Sequence, residues 1–462
     1  SIGEATAADV DAAVGAALAA QPAWDALGGA ARAELLKRAA DLYEDNTELL
    51  LSLCQREAGK TLVDAVLELR EAVDFLRYYA AEARRLFTPE GERLPGPTGE
   101  ENRLRLHGRG VFVAISPWNF PLAIFTGLVA GPLAAGNTVI AKPAEQTPLI
   151  AAFAVQLLHQ AGIPAEALHL AAGDGTVGAM LTADPRIAGV AFTGSTETAR
   201  AINRSLASRD GPIATFVAET GGQNAMIADS SALPEQVTRD VLASAFQSAG
   251  QRCSALRVLY LQDDIYDTVL EMIRGGFEAL VIGSPDDLAT DVGPVIDGEA
   301  KAKLEAHIAA MRQAGRQVWQ RDLPPACANG TFVAPTIIEI GSIRDLDREH
   351  FGPVLHVARF KATELEQVID EINACQFGLT LGLHSRIDAT RQLVEARARV
   401  GNFYVNRNQI GAVVGSQPFG GEGLSGTGPK AGGPHYIARF ATERVTCIDT
   451  TAAGGNATLM AG

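Results

Sequence analysis

Two α/β units, the first with a doubly wound parallel sheet, and a small terminal β element are the fold that this sequence predicts. Three observations lead there. From about Gly108, five short β-rich runs alternate with helical ones, a pattern that gives a parallel sheet with helices on both faces. A second alternating series follows from residue 256. The 462 residues, at roughly 150 per domain, leave room for both series and for a large buried core.

The chain opens on a helical layer, because Leu62, Val66, Leu69, Val73 and Leu76 recur at steps of four and three with charged residues between them. Strands are then expected at 111–115, 138–141, 168–171, 189–192 and 214–218. The helices between them fall at 120–135, 147–161, just after 171, and at 196–206. In the second unit, the strand-like runs are LRVLYL (256–261), VLHVARF (354–360), LTLGLHS (379–385) and NFYVN (402–406). The end of the chain is a β-like run and a small-residue tail, too short for a domain and suited to pairing with another subunit.

Composition removes several function classes. Hydrophobic residues make up 47% and charged residues 20%, too apolar for a disordered chain. The net charge of −15 leaves no overall basic surface for nucleic acid or anionic lipid. Five cysteines at 54, 253, 327, 375 and 447 form no CxxC pair, so a reducing, cytoplasmic setting is expected rather than a disulfide framework. Residues 110–141 carry no charge, yet Pro117, Pro121 and Pro132 divide them into pieces too short to span a bilayer. They read as buried strand, loop and buried helix. The N-terminus shows no secretory pattern. It starts without Met on a helix-like run, as a fragment of a longer chain would.

Ligands of open parallel sheets bind beyond the carboxyl ends of the strands, and polar clusters fall there: Ser116-Pro117-Trp118-Asn119, Lys142-Pro143-Ala144-Glu145, Thr193-Gly194-Ser195-Thr196 and Glu219-Thr220-Gly221-Gly222. Together they describe a nucleotide-sized site. Two GxGxxG matches, Gly173 to Gly178 and Gly421 to Gly426, are weak in a chain with 47 glycines, and only the first sits between strand and helix. Ser195 opens a helix, where free N–H groups favour an anion. Cys253 follows a helix that Pro234 starts and Gly250 ends. A thiol with a pKa near about 8.5 needs a positive neighbour or a base to be nucleophilic, and Arg252 or a cationic cofactor are the candidates. The other four cysteines read as small buried hydrophobes. The eight histidines are scattered, so neither a metal site nor a Cys/His dyad has support.

In this order, PWNF (117–120), KPAEQTP (142–148), FTGSTE (192–197), ETGGQN (219–224), GQRC (250–253), EHFGPV (349–354) and PFGG (418–421) resemble the aldehyde dehydrogenase superfamily over nearly the whole chain. Thr220 stands where the family commonly has Leu, and Ala199 where it often has Gly. Cys253-Ser254, the loop 410–415, the run GTGPKAGGPHY (426–436) and the tail from Val445 are similar to the Δ1-pyrroline-5-carboxylate dehydrogenase branch, narrowly to the dehydrogenase half of bifunctional proline utilization A proteins. The chain begins inside that family's first helical region, and a proline dehydrogenase half would belong to the parent chain.

The resemblance implies an NAD-binding domain at 1–90 and 109–220, a catalytic domain at 221–430, and oligomerisation or bridging segments at 91–108 and 431–462, in a homo-oligomer without a metal. It implies NAD-dependent oxidation of L-glutamate γ-semialdehyde to glutamate, the second step of proline catabolism. Cys253 would be the nucleophile, Asn119 with the Cys253 N–H the oxyanion site, and Glu219 the base that hydrolyses the thioester. Lys142 and Glu145 would hold the adenosine ribose, with Ser116, Trp118 and Gly194 also on the cofactor. Ser195 would hold the pyrophosphate, and Glu349 and Phe351 the nicotinamide ribose. Ser254, Gly411 and Ala412 would anchor the substrate carboxylate, with Phe120 and Phe419 flanking its chain. The rivals are a dehydrogenase of another carboxylate-bearing aldehyde, such as succinate semialdehyde, and a binding protein that keeps the fold without turnover.

Overall fold

The helical opening comprises α1 (Ala7–Ala26), α2 (Gly28–Asp45), α3 (Thr47–Ala58) and α4 (Leu62–Leu86) in the computed structural model, which describes residues 2–97 and 99–450. Helix α4 follows the predicted stripe only in part. Leu69, Val73 and Leu76 are buried, but Val66 is 39% exposed and the covered face instead carries Asp64 and Glu68. These acids are tolerated because each finds a cation: Glu68 meets Lys60 Nζ and Asp64 meets Arg252 Nη2, both at 2.8 Å.

Segment 91–108 carries β1 (Glu92–Leu94) and β2 (Glu100–Gly108). Then β3 (Val111–Ile115), β4 (Thr138–Lys142), β5 (Leu168–Leu170), β6 (Ile187–Thr193) and β7 (Thr215–Glu219) form a parallel sheet in the order β5-β4-β3-β6-β7. Its crossovers are α5 (Ala123–Ala134), α6 (Pro148–Gln160), α7 (Gly175–Ala183) and α8 (Thr196–Ala207). Strands β3 and β4 are buried throughout, and so read as continuous apolar runs. The chain winds outward from β3 to β5 and returns to β6, which puts the switch point of the sheet between β3 and β6. Helix α5 starts after Pro121 and runs through Pro132. Among the described residues no helix is long and apolar enough to cross a membrane.

Past β8 (Ala225–Ala228), helix α9 (Pro234–Phe246) leads to β9 (Val258–Gln262), and β10 (Val318–Gln320), β11 (Thr336–Glu339), β12 (Val354–Phe360), β13 (Phe377–Gly378), β14 (Thr380–His384) and β15 (Asn402–Val405) follow. The second sheet has the order β10-β11-β12-β9-β8-β14-β15, parallel except where β10 meets β11. Of its seven strands, the sequence reading found β9, β12, β14 and β15. It missed β8, β10 and β11, which are three or four residues long, too short for a period to register. Strand β16 (Glu422–Gly423) pairs with β13, and β17 (Ala441–Asp449) pairs with β2 to complete an antiparallel sheet, β1-β2-β17. Of the expected subunit-pairing tail, residues 451–462 lie outside the described residues.

Only residues 220–224 separate the end of β7 from the start of β8. The carboxyl ends of the first sheet therefore meet the amino ends of the second. The carboxyl-end rule places the first four polar clusters, while Cys253 lies before β9 and Phe351 before β12.

Asn137 ties this frame together. Fully buried, it accepts from the N–H groups of Arg109 (2.6 Å) and Gly110 (3.1 Å) and donates to the carbonyls of Pro132 (3.1 Å) and Phe440 (3.0 Å). Asn137→Ala would leave the N–H groups of Arg109 and Gly110 and the Phe440 carbonyl unpaired in the interior, at about 1–3 kcal/mol for each orphaned group, while the Pro132 carbonyl keeps the backbone N–H of residue 137 at 3.0 Å. Urea unfolding should show a loss above about 2 kcal/mol; a change within about 0.5 kcal/mol, the size of a surface substitution, would show that the bridge is dispensable.

Candidate active site

Helix α9 ends at Phe246, and the chain then passes through three consecutive left-handed residues, Ser248 (φ 55°), Ala249 (φ 52°) and Gly250 (φ 66°). For the two that carry a Cβ, this conformation costs roughly 1–2 kcal/mol each. Side chains from elsewhere hold the loop. Arg257 donates to the carbonyls of Gly250 (2.7 Å) and Arg252 (3.0 Å), and Gln251 accepts from Ile296 N–H (2.9 Å). Asn224 donates to the carbonyls of Cys253 (2.6 Å) and Ala255 (2.9 Å). From the rim of the first sheet, Asn119 Nδ2 donates to the Gln251 carbonyl at 3.1 Å, which brings the predicted oxyanion amide to the predicted nucleophile. One of its two N–H groups remains for a ligand.

Cys253 is partly exposed, yet burial, reinforced by Glu349, Glu219 and Glu71, pushes its thiol up to about 12. Arg252, the positive neighbour expected from the sequence, does pull the thiol down, but as the smallest of these influences. Its Nη2 is paired with Asp64, its Nη1 donates to the Ile410 carbonyl at 3.3 Å, and its guanidinium lies 5.3 Å from the centre of the Phe120 ring. A buried guanidinium is drawn to the nearest carboxylate that can pair with it, and here that is Asp64. Burial also raises Glu219 to about 8, against the opposing pull of Gly421 N–H (3.1 Å) and Lys430. Among the described residues its Oε1 has no hydrogen-bond partner. A carboxyl poised near neutral pH is suited to general base work.

Most of the cofactor candidates line the first sheet, while Glu349 and Phe351 come from the loop before β12. Lys142, buried at the end of β4, has Nζ 3.7 Å from the exposed Glu145 carboxylate, and burial lowers its pKa. Ser116 N–H donates to the Lys142 carbonyl at 3.1 Å, fixing the β3 and β4 ends side by side. Gly194 N–H donates to the Glu219 carbonyl at 3.1 Å. Ser195 caps α8, with Oγ accepting from Thr198 N–H at 3.1 Å, so its hydroxyl serves the helix and the first-turn N–H groups are what face an anion. Trp118 packs edge-on against Phe351 at 5.6 Å. Glu349 accepts from Arg257 Nη2 (3.0 Å) and Gly222 N–H (3.2 Å). A Cβ on Gly221 would stand 1.8 Å from its Oε2, which accounts for glycine there. An ammonium beside a carboxylate, a helix N-terminus and a second carboxylate along one rim match the hydroxyls and pyrophosphate of a dinucleotide.

Ser254 is buried beside the nucleophile, and its carbonyl accepts from Thr380 Oγ1 and Gln409 Nε2, each at 3.3 Å. Gln409 and the Arg252 bond to Ile410 bring the 409–412 loop against Cys253-Ser254. At Gly411 a Cβ would stand 2.8 Å from Arg407 Nη2, the movable end of a long side chain. Ala412 is half-buried. Phe120 is capped by Lys60 Nζ at 3.9 Å from its ring centre, and Phe419 pairs with Ala431 next to Gly420, which abuts Glu219. Lys142, Glu145 and Ser195 lie along the rim, with no contact to the Cys253 group.

The sequence reading missed Asn224, Arg257 and Glu71. Asn224 closes the ETGGQN motif, and Arg257 is a lone cation in a strand-like run, a charge that burial obliges to have partners. Glu71, raised to about 7 by burial and by Glu68, looks like any other helix-surface acid in the sequence. Three of the histidines read as scattered converge: His307 and His350 stack with centroids 3.4 Å apart, and the Nε2 atoms of His307 and His356 lie 2.9 Å apart. Burial depresses them to about 4, 3 and 3 for His307, His350 and His356, which keeps them neutral. Among the described residues, no cluster of His, Cys, Asp and Glu has the arrangement of a metal site.

Comparison with known proteins gives this geometry a family. The chain is 54% identical over 450 residues to the bifunctional protein PutA of Escherichia coli (strain K12), covering 96% of this chain and 33% of that protein. It thus spans about a third of the length of such relatives. A 1-pyrroline-5-carboxylate dehydrogenase of Geobacillus kaustophilus is 37% identical over 420 residues, 90% of this chain and 80% of that one. Among solved structures, a bifunctional proline utilization A protein superposes with a TM-score of 0.95 at 58% identity, over 98% of this chain and 46% of that chain. A 1-pyrroline-5-carboxylate dehydrogenase from Thermus with bound NAD gives 0.91 at 36% identity, over 96% of this chain and 86% of that one. Residues 1–446 match the aldehyde dehydrogenase family, and the chain belongs to that family.

Proposed function

We propose that this chain oxidises L-glutamate γ-semialdehyde to L-glutamate with NAD, the second step of proline catabolism. One observation carries the reading: Cys253, the Asn119 amide and the buried Glu219 share one site with Ser254 and the 409–412 loop. The relatives named 1-pyrroline-5-carboxylate dehydrogenase support the substrate, and the Thermus structure with bound NAD supports the cofactor. In this reading residues 1–90 and 109–220 bind NAD, 221–430 carry catalysis, and 91–108 with 431–462 bridge subunits of a cytoplasmic homo-oligomer. A proline dehydrogenase unit, as in bifunctional relatives, would supply the substrate from the same parent chain.

The Cys253 sulfur attacks the aldehyde carbon as its proton passes to the Glu219 carboxylate, which releases it to solvent, and Asn119 Nδ2 with the Cys253 N–H receives the oxyanion. NAD, when bound, supplies the hydride acceptor, held by Glu145, Ser195 and Glu349 along the rim. Glu219 takes a proton from water, which adds to the thioester and releases the acid and the thiol. Ser254 and the 411–412 N–H groups bind the substrate carboxylate, and the Glu71 carboxylate complements its ammonium.

Four outcomes follow. Cys253→Ala should abolish oxidation, read as NADH fluorescence, while NAD still binds, read by titration calorimetry; oxidation by that variant would remove the nucleophile assignment. With Glu219 raised to about 8, its basic form grows as pH rises, so hydrolysis-limited kcat should climb between about pH 7 and 9. Glu219→Gln should abolish that limb and show a burst of NADH, and an unchanged pH profile would contradict the role.

Glu145 can accept from a ribose 2′-hydroxyl but repels a 2′-phosphate, so NAD should exceed NADP in kcat/KM, and Glu145→Gln should narrow the ratio. Equal use of both cofactors by the unaltered chain would show that Glu145 does not read this hydroxyl.

Hydrogen bonds to charged groups are worth roughly 1.5–3 kcal/mol, so a neutral aldehyde of equal length should lose about tenfold or more in kcat/KM. Ser254→Ala should narrow that gap, and Glu71→Gln should raise KM for the amino-bearing substrate more than for succinate semialdehyde. Equal rates for simple aliphatic aldehydes would favour a broader aldehyde dehydrogenase.

A further inference from the structure

Arg257, only 1% exposed, touches both halves of the site. Toward the nucleophile loop, Nη1 donates to the Gly250 carbonyl at 2.7 Å and Nη2 to the Arg252 carbonyl at 3.0 Å. Toward the loop that carries Glu349 and Phe351, Nη2 donates to Glu349 Oε1 at 3.0 Å and Nη1 to the Gly352 carbonyl at 3.3 Å. The guanidinium carbon also lies 5.0 Å from the centre of the Phe351 ring. The two loops touch directly, since a Cβ on Gly250 would stand 2.1 Å from the Gly352 oxygen. Behind Arg257, its carbonyl meets His356 Nδ1 at 2.9 Å, and His356 Nε2 meets His307 Nε2 at 2.9 Å. A carbonyl only accepts, so Nδ1 carries the proton and His356 Nε2 accepts from His307. The arginine is thus braced at both ends of the residue.

We propose that Arg257 is a positioning residue that couples occupation of the ribose subsite at Glu349 by NAD to the geometry and reactivity of the Cys253 thiol, a role that rests on the cofactor reading of Glu349. A ribose hydroxyl donating to Glu349 adds a third donor to a carboxylate that Arg257 and Gly222 N–H already hold, and so pulls on the group to which the guanidinium is tied. The guanidinium is a rigid planar fork, so it cannot adjust to Glu349 without moving against the carbonyls of residues 250 and 252, one residue from the nucleophile. A lysine at 257 would offer a point charge able to serve one loop, not both.

The test follows alkylation of Cys253 by iodoacetamide on the full chain, read by peptide mass spectrometry, with and without saturating NAD. Couplings between sites commonly amount to about 5–150-fold, and NAD should change the wild-type rate by roughly tenfold. In Arg257→Lys the change should fall below about twofold, while circular dichroism and affinity for ADP, which lacks the nicotinamide ribose, stay as in wild type. Glu349→Gln keeps the side chain's size and should weaken the coupling even if Arg257→Lys does not fold. The double variant should lose no more than Arg257→Lys alone. A wild-type NAD effect in Arg257→Lys or Glu349→Gln would overturn the proposal, because the coupling would then run directly across the site. NAD binding to wild type without any change at Cys253 would overturn it as well. If wild type binds no NAD, the cofactor reading itself fails, and this inference with it.

Discussion

Where the two parallel sheets meet, Glu71, Glu219 and Glu349 act on one cysteine, Asp64 and Glu68 lie buried nearby on α4, and every buried charge there must be paired or neutralised. Three cations pair with three of these acids. Lys60 goes to Glu68, Arg252 to Asp64 and Arg257 to Glu349. What remains is Cys253, Glu219 and Glu71, which burial drives toward their neutral forms, as it also raises Glu349 despite its Arg257 partner. Chemistry is assigned to the groups left without a dedicated counter-ion, as shifted ionisation in a cleft leads one to expect.

The same pairing explains how a strained loop is kept in place. Ser248, Ala249 and Gly250 hold left-handed backbone because their neighbours are bound by Arg257 and Asn224 from outside and because Gln251, in the loop, is tied to Ile296 N–H. Strain of this kind survives only where the surroundings over-determine it. Here the anchors come from the start of β8, the start of β9 and the nucleophile loop itself, while Asn119 joins from the first sheet. The loop is therefore a property of the junction and not of either sheet alone.

Much of this was legible in the sequence. The strands β3 to β7 announce themselves as apolar runs separated by helices, and the motifs at their ends fall on one rim because strand direction fixes where strand ends lie. The motif residues Asn119, Glu219, Cys253 and Ser254 were recognisable because a reacting group brings a fixed local sequence with it. The partners of charges were not. Arg252 stands next to Cys253 in the chain, and sequence adjacency made it the natural activator, yet its guanidinium reaches Asp64, 188 positions away. Arg257 and Glu349 meet across 92 positions, and the three converging histidines come from a helix, a loop and a strand. Short strands such as β8 and β10 escaped because three or four residues carry no period. The buried acids of α4 escaped because apolar periodicity does not foresee a charge that is covered and paired.

The account turns on Cys253 carrying the substrate carbon between two steps at the junction of the sheets. Acid-quenched samples of the Glu219→Gln chain, taken during reaction with NAD and L-glutamate γ-semialdehyde and digested for mass spectrometry, test this most directly. A glutamyl group is expected on the peptide containing Cys253, lost on treatment with hydroxylamine and absent when NAD is omitted. Turnover with no adduct on that peptide, or an adduct on another cysteine, would contradict it.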